Sequence, residues 1–348
     1  MPDLQRGASV SVPHFDFWTL EKKNRRQTAI LITVFIILFT ALGFGLDVLF
    51  DNIDFFDGSI IGFPILTLFA LVLGIAQAVG SFYGGSSLVL ASVHARELKP
   101  DEPKHLMVLD VIREMATAAA MPVPKGYIID DPAPNAFATG RDPAHSVICV
   151  TQGLINEMDR EELQGVIGHE MAHVRDYDTR TMMMIAVLVG GIAMLADFAW
   201  RWAWFSGGVG SRRERRSDGN SGGADAGALL GFAILVLTAV APFFSQILAM
   251  AVSRQREYLA DAGSVEFTRN PNALMRALVE IARTESPLRD ASRGTAHLFI
   301  VNPLEGAQDD KEDFLGNLLS THPPLSRRIA RLRAMGAQGE PEATLDPA

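Results

Sequence analysis

One short stretch of the sequence has residue types and spacing that suit metal chemistry: His169-Glu170-Met171-Ala172-His173. Two histidines four positions apart lie about 40° from each other around an α-helix, so both rings project from one face. This spacing suits two of the three protein ligands that a catalytic zinc takes while its fourth position stays open. Glu170 can then act as general base towards a water at the zinc. The pattern needs a third ligand and a helical context to become a site.

The best candidate for the third ligand is Glu257, in the charged segment Ser253 to Asp261 that continues helically from an apolar run. Asp261 lies four residues further on, on the same helical face. A carboxylate there can accept a hydrogen bond from the free ring nitrogen of a zinc-bound histidine and fix its tautomer. A solvated charged helix face is the alternative for an isolated pair of this kind. Joined to the histidine pair across a membrane hairpin, the metal site is favoured.

The elements that must position these residues are marked in the sequence. Asp159-Arg160-Glu161-Glu162 has the form of a helix N-cap with a glutamate at N3, which predicts that the histidine pair lies on a helix. Before it, residues 126–129, 135–140 and 145–151 are typical of short strands. An edge strand containing Asn135, Ala136, Phe137 and Ala138 could bind an extended peptide by strand addition. An ordinary structural hairpin is the alternative.

The composition predicts a membrane protein, because 48% of the 348 residues are hydrophobic and the mean hydropathy is positive. Apolar runs cover about 28–50, 60–91, 182–200 and 226–252. Basic residues before the first run place that flank in the cytoplasm, and an acidic loop that includes Asp47 follows on the opposite side. An arginine-rich loop divides the last two runs and conflicts with the positive-inside rule. We favour two full spans, although Asp197 and Pro242 leave an interfacial or protein-buried pair open.

These runs divide the chain into six predicted parts: a cytoplasmic segment 1–27, a two-span hairpin 28–91, the first part of the catalytic domain with the zinc helix 92–180, a second hydrophobic hairpin 181–252, the second part of the catalytic domain 253–336, and a disordered tail 337–348. At about 1.5 Å per residue, His173 and Glu257 then lie within roughly 8–15 Å of the membrane boundary. An active site so close to the bilayer suits membrane-bound substrates.

Other residue classes narrow the range of functions. A net charge of −9 without a basic stripe argues against nucleic-acid binding. The single cysteine, Cys149, excludes an intramolecular disulfide and a thiolate-rich zinc cluster, and we expect it in a buried strand. His322 precedes two prolines on a stiff, extended segment, which suits a group that stabilises the oxyanion or orients substrate. A structural role at the surface is its alternative, and the remaining histidines lack ligand spacing.

Taken together, these motifs closely resemble the HtpX family of membrane-integrated zinc metalloproteases, which is related to the CAAX prenyl proteases. The resemblance rests on the paired N-terminal spans and on five motifs: Asn135-Ala136-Phe137-Ala138, Val150-Thr151-Gln152-Gly153-Leu154, His169 to His173, Glu257-Tyr258-Leu259-Ala260-Asp261, and Thr321-His322-Pro323-Pro324 with Arg328. It implies a mainly α-helical membrane protein with about four transmembrane helices and an α+β zincin domain of the gluzincin type with a small β-sheet. One zinc per subunit is then held by His169, His173 and Glu257, Glu170 is the catalytic base, and a functional role for His322 is favoured.

The same resemblance implies a multi-pass protein of the bacterial inner membrane with its active site on the cytoplasmic side. The implied activity is cleavage of misfolded or membrane proteins in quality control. An intramembrane zinc protease is disfavoured, because charged residues flank the metal helix. A non-proteolytic membrane scaffold or transporter with a vestigial metal motif is the alternative from another class of function.

Overall fold

The structure, a computed structural model, describes residues 17–49, 63–188, 254–283, 295–301 and 323–339. The described residues are mostly helical and include one small mixed sheet. In chain order the elements are α1 Phe17–Leu49, α2 Ile65–Ser92, β1 Arg96–Glu97, α3 Pro103–Ala118, β2 Lys125–Ile129, β3 Ala136–Gly140, β4 Ser146–Thr151, α4 Gln152–Glu157, α5 Arg160–Arg175, α6 covering 178–188, α7 Arg254–Thr268, α8 Pro271–Arg283 and α9 Leu325–Gly339.

The first two helices form a closely packed hairpin. A Cβ on Gly43 of α1 would lie 2.5 Å from the carbonyl oxygen of Leu66, so the two backbones approach closely there. Asp47 accepts hydrogen bonds from the backbone N–H groups of Leu66 at 3.2 Å and Thr67 at 2.7 Å. It therefore caps α2, whose N-cap residue Pro64 offers no side-chain hydrogen bond. The prediction that Asp47 lies in the following loop is wrong, because α1 extends far enough for this carboxylate to reach the start of α2.

Among the described residues, α2 is the one helix that is long and apolar enough to cross a membrane. Only 17% of its most apolar window is buried, and its large side chains are exposed along most of its length. The predicted third span is described only to residue 188, and the predicted fourth span, 226–252, lies outside the described residues. The count of four spans therefore stays a prediction.

The sheet has the strand order β1-β2-β4-β3, with β2 and β4 parallel and the other two pairs antiparallel. The three predicted strands are confirmed, and β4 at the centre of the sheet is buried throughout. Cys149 is buried in β4, as its sequence context predicts. The outer position of β3 places this strand at the edge that faces α5.

Helix α5 lies at the centre of the described elements that follow α2. Asp159 and Glu162 form the predicted capping box, with the Glu162 N–H donating to the Asp159 carboxylate at 2.8 Å and the Asp159 N–H donating to Glu162 at 3.0 Å. The helix packs between the sheet, α3, α7 and α8. At Gly165 its backbone passes so close to α8 that a Cβ would lie 2.5 Å from the Leu274 nitrogen. These contacts fix the position of α5 between α7 and α8.

Candidate metal centre

Three predicted ligands come together in the structure. Helix α5 supplies His169 and His173, and the first turn of α7 supplies Glu257. The two Nε2 atoms are 3.2 Å apart, and the Glu257 carboxylate oxygens lie 3.5 Å from Nε2 of His173 and 3.7 Å from Nε2 of His169. Ligand atoms on a tetrahedron with bonds of about 2.0–2.1 Å are separated by about 3.3–3.4 Å. The three side chains therefore fit a tetrahedral metal ion with one position left for water or substrate.

Small residues allow α7 to approach α5 closely enough for this meeting. A Cβ on Gly263 would lie 2.6 Å from the Cβ of Ala172, and a Cβ on Gly168 would lie 3.1 Å from the hydroxyl of Ser264. That hydroxyl donates to the Gly165 carbonyl at 2.6 Å and ties the helices together. Larger side chains at these positions would move Glu257 away from the histidines.

On the far side of His169, Asp261 and Arg328 form a buried charged pair. Nδ1 of His169 lies 3.0 Å from the Asp261 carboxylate, which fixes the tautomer and leaves Nε2 for a metal. Arg328 donates to both oxygens of Asp261, from Nε at 3.0 Å and from Nη2 at 2.7 Å. Burial acts to raise the pKa of Asp261, but the Arg328 guanidinium and the His169 hydrogen bond outweigh it, so the pKa is lowered. Asp261 is thus placed as predicted, whereas Arg328 was in a motif without an assigned role.

His173 has a carboxylate partner that the sequence analysis missed. Its Nδ1 lies 3.1 Å from the carboxylate of Asp178. Helix α5 ends at Arg175 and the chain reverses through Tyr177, which has a φ of 61°, so that Asp178 returns towards the ring. The signal in the sequence was an acidic residue within two turns of the second histidine.

The two histidines differ in their affinity for protons. Burial, reinforced by the positive charge of Arg328, lowers the pKa of His169 to about 4. Burial also acts to lower the pKa of His173, but the Asp178 hydrogen bond and the charge of Glu257 reverse this effect and raise it to about 9. A metal at this site therefore competes with a proton on His173 and with none on His169 near neutral pH.

Glu170 lies beside the three candidate ligands and is buried. Burial raises its pKa to about 7, against the opposing effects of His173 and of a hydrogen bond from the Ala138 backbone. It lines a cavity of about 20 Å³ together with His173 and Glu257, and this volume is sufficient for one water molecule. The carboxylate is therefore placed to exchange a proton with a single water beside the metal ligands.

The candidate peptide-binding strand is partly covered by the chain itself. The backbone N–H of Ile300 donates to the carbonyl of Ala136 at 2.9 Å, and the side-chain amide of Asn135 donates to the Val301 carbonyl at 3.0 Å. The ring of Phe137 packs edge-to-face on Phe299 at 4.9 Å between centroids. Residues 299–301 thus lie along the outer edge of β3 at its first residues, while Ala138 reaches the cavity. His322 lies outside the described residues.

Two histidines and a glutamate on one helix, a second carboxylate from a neighbouring helix and a sheet edge beside them are the arrangement typical of metal-dependent peptidases. The chain belongs to peptidase family M48, whose family model matches residues 104–336. The site of this family contains a metal, and the prediction of an HtpX-type membrane metalloprotease is confirmed, which leaves the alternative of a non-proteolytic scaffold without support.

Curated relatives match the chain over nearly its whole length. The protease HtpX homolog of Lactobacillus helveticus is 38% identical over 313 residues, which are 90% of this chain and 98% of the relative. The homologs of Dictyoglomus thermophilum and Levilactobacillus brevis are 38% and 40% identical over 92% and 90% of this chain, and 96% and 97% of their own lengths. A solved structure of S. mikatae Ste24p is 18% identical with a TM-score of 0.48, and the match covers 91% of this chain and 66% of that one.

Proposed function

We propose that this protein is a zinc endopeptidase that holds its metal through His169, His173 and Glu257 and uses Glu170 as general base. The observation that carries the proposal is the spacing of the three ligand atoms, 3.2–3.7 Å, next to a water-sized cavity lined by Glu170. Two imidazoles and one carboxylate are a typical donor set of catalytic zinc. Magnesium and calcium prefer sets made entirely of oxygen ligands, so this set favours zinc.

When bound, zinc polarises the scissile carbonyl and lowers the pKa of water. The carboxylate of Glu170 takes a proton from the attacking water as the water oxygen bonds to the carbonyl carbon. It then gives this proton to the amide nitrogen as the C–N bond breaks, which leaves a new carboxyl end and a new amine. A pKa raised to about 7 suits a group that must accept and release a proton near neutral pH. The Ala138 N–H fixes the orientation of the carboxylate, and His322 is proposed to stabilise the developing oxyanion.

The proposed substrates are misfolded or membrane proteins, bound in extended form along the edge of β3. Ala138 would contact the peptide, because it lines the cavity with Glu170. We propose an indirect role in substrate binding for Asn135, Ala136 and Phe137. Their polar and aromatic contacts hold residues 299–301 at the rim of the site. The bound peptide would then continue the edge of the sheet beyond that segment.

The proposed location is the bacterial inner membrane, with α1 and α2 as two of several spans and the active site facing the cytoplasm. Support comes from the N-terminal turns of α1, where Lys22, Lys23, Arg25 and Arg26 are exposed. Asn24, among these basic residues, is hydrogen-bonded to Asp178, which contacts the candidate ligand His173. The site therefore lies on the side of the basic flank, which the positive-inside rule assigns to the cytoplasm.

The test compares wild type with Glu170→Gln in detergent or in proteoliposomes, with metal content and cleavage of a model membrane substrate as readouts. We expect Glu170→Gln to retain zinc and to lose cleavage, and Glu257→Ala to lose both. Glu161→Gln is the matched control, because Glu161 is on the same helix but exposed and should leave both readouts unchanged. Full proteolysis by Glu170→Gln would refute the assignment of the general base.

A further inference from the structure

The N-terminal turns of α1 are hydrogen-bonded to the segment that follows the metal helix. The side-chain amide of Asn24 donates to the Asp176 carbonyl at 2.6 Å and to the Asp178 carboxylate at 2.7 Å. One turn later, the hydroxyl of Thr28 lies 3.0 Å from the hydroxyl of Thr181 on α6. Asn24 and Thr28 are 3% and 4% exposed, so both are removed from solvent. These bonds join residues more than 150 positions apart and are not needed to form either helix.

Asp178 stands between α1 and the metal site. One of its carboxylate oxygens contacts Nδ1 of His173 at 3.1 Å, and the other accepts the Asn24 amide and lies 3.3 Å from Arg256. Arg256 in turn donates to the side chain of Gln27, one helical turn from Asn24 on α1. Helix α1 therefore holds Asp178 directly through Asn24 and indirectly through Arg256, the residue that precedes Glu257.

The buried stripe of α1 shows that this contact differs from ordinary helix packing. The stripe continues from Asn24 and Thr28 to Leu31, Phe35 and Phe39 at helical spacing. Between residues 24 and 39 the stripe is polar at Asn24 and Thr28, where α1 meets residues 176–181, and apolar at the three later positions. A buried amide is unfavourable unless its hydrogen bonds are made, whereas an apolar residue would pack here without that cost. Asn24 thus serves the Asp178 carboxylate that it contacts, and Thr28 joins the same turn of α1 to Thr181.

The geometry points to Asn24 as a positioning residue of the metal site: by fixing the Asp178 carboxylate, α1 sets the ring orientation of His173. The inference rests on the proposed function, because it assumes that His173 is a zinc ligand. Removing the carboxylate partner of a metal-bound histidine weakens metal affinity by about 10- to 100-fold, and a carboxylate that is no longer held towards the ring should have a similar effect. A shift of α1 in the membrane would then change zinc affinity without contact between α1 and the metal.

The experiment measures zinc affinity of the full-length protein in detergent by competition with a chromogenic chelator. We expect Asn24→Ala to weaken zinc binding by about 10-fold or more. The matched control is Thr33→Ala, on the same helix, because Thr33 is exposed and its hydroxyl donates to the Ala29 carbonyl one turn earlier. A second measurement, the melting temperature of the zinc-free protein, separates a loss of stability from a loss of ring orientation.

A double-mutant comparison tests whether Asn24 acts through Asp178. Asp178→Asn alone should weaken zinc binding, and adding Asn24→Ala should weaken it no further. Additive losses, or an Asn24→Ala variant with the zinc affinity of wild type, would overturn the inference. If Asn24→Ala does not fold, Gln27→Ala is the deciding variant, because Gln27 is only half-buried and contacts Arg256. A loss of zinc affinity of a few-fold in Gln27→Ala supports the inference that α1 positions Asp178, and an unchanged affinity refutes it. A wild type that binds no zinc refutes the proposed function itself, which keeps the two failures distinct.

Discussion

Arg328 is the counter-ion of a carboxylate that lies inside the protein, and its replacement by methionine tests how the site is held together. Arg328 is fully buried, donates twice to Asp261, donates to the Ile300 carbonyl at 3.0 Å and lies 3.4 Å from Glu257. Removing one partner of a buried ion pair costs about 3–5 kcal/mol, because the remaining charge is left without compensation. We therefore expect Arg328→Met to lower the free energy of unfolding by about this amount, which is a factor of about 10²–10⁴ in the unfolding equilibrium.

The assay is reversible denaturant unfolding of Arg328→Met, Asp261→Leu and the double variant in detergent. The loss of stability in the double variant should be smaller than the sum of the two single losses, because neither member of the Arg328–Asp261 pair is left buried without the other. Arg328→Lys should recover only part of the loss, since an ammonium group cannot form the two-pronged contact. A single-variant loss below about 1 kcal/mol, or strict additivity in the double variant, would refute the reasoning.

Three further predictions concern proton exchange and packing. The pKa of His173 is raised to about 9 and only the neutral ring binds metal, so zinc affinity should rise with pH up to about 9 and then level off. Titration calorimetry of zinc binding at pH 7–8, in buffers of different ionisation enthalpy, should detect the release of about one proton from His173. Asp47→Ala should lower the free energy of unfolding by about 1–2 kcal/mol, and with it the melting temperature, because it removes the cap of α2. Asp47→Asn should lower the free energy of unfolding by less. Gly165→Ala should destabilise the fold by about 1–3 kcal/mol through contact with Leu274, whereas Gly80→Ala, with open space around it, should not, as unfolding curves can show.

Much of the site could be predicted because its parts follow local rules. A spacing of four residues is enough to predict that both histidines lie on one face of a helix. Asp159 and Glu162 mark the start of that helix. Glu257 and Asp261 follow the same spacing on a second helix. Each of these relations spans four residues or fewer, within one element, where sequence periodicity reports directly on geometry.

The residues that were missed depend on contacts between distant elements. Asp178 reaches His173 only because the chain reverses at Tyr177, and Arg328 reaches Asp261 only because α9 packs on α7 and α8. The contact of Asn24 with Asp178 joins positions 154 apart, and no periodicity within either helix indicates it. In each case the side chain is polar and buried, so its partner is determined by tertiary packing rather than by its neighbours in sequence.

The charges around the two histidines explain why these distant partners are present together. Among the described residues, the buried charged groups near the histidines are the carboxylates of Glu170, Asp176, Asp178, Glu257 and Asp261 and the guanidinium groups of Arg256 and Arg328. With every carboxylate ionised, this set has more negative than positive charge, which is unfavourable inside a protein. Burial, together with the nearby charge of Glu257, raises the pKa of Glu170. Burial acts to lower the pKa of His173, but the Asp178 hydrogen bond and the charge of Glu257 raise it. A divalent cation held by two neutral imidazoles would add two positive charges among these carboxylates and favour the ionised state of Glu170, in which it can act as a base.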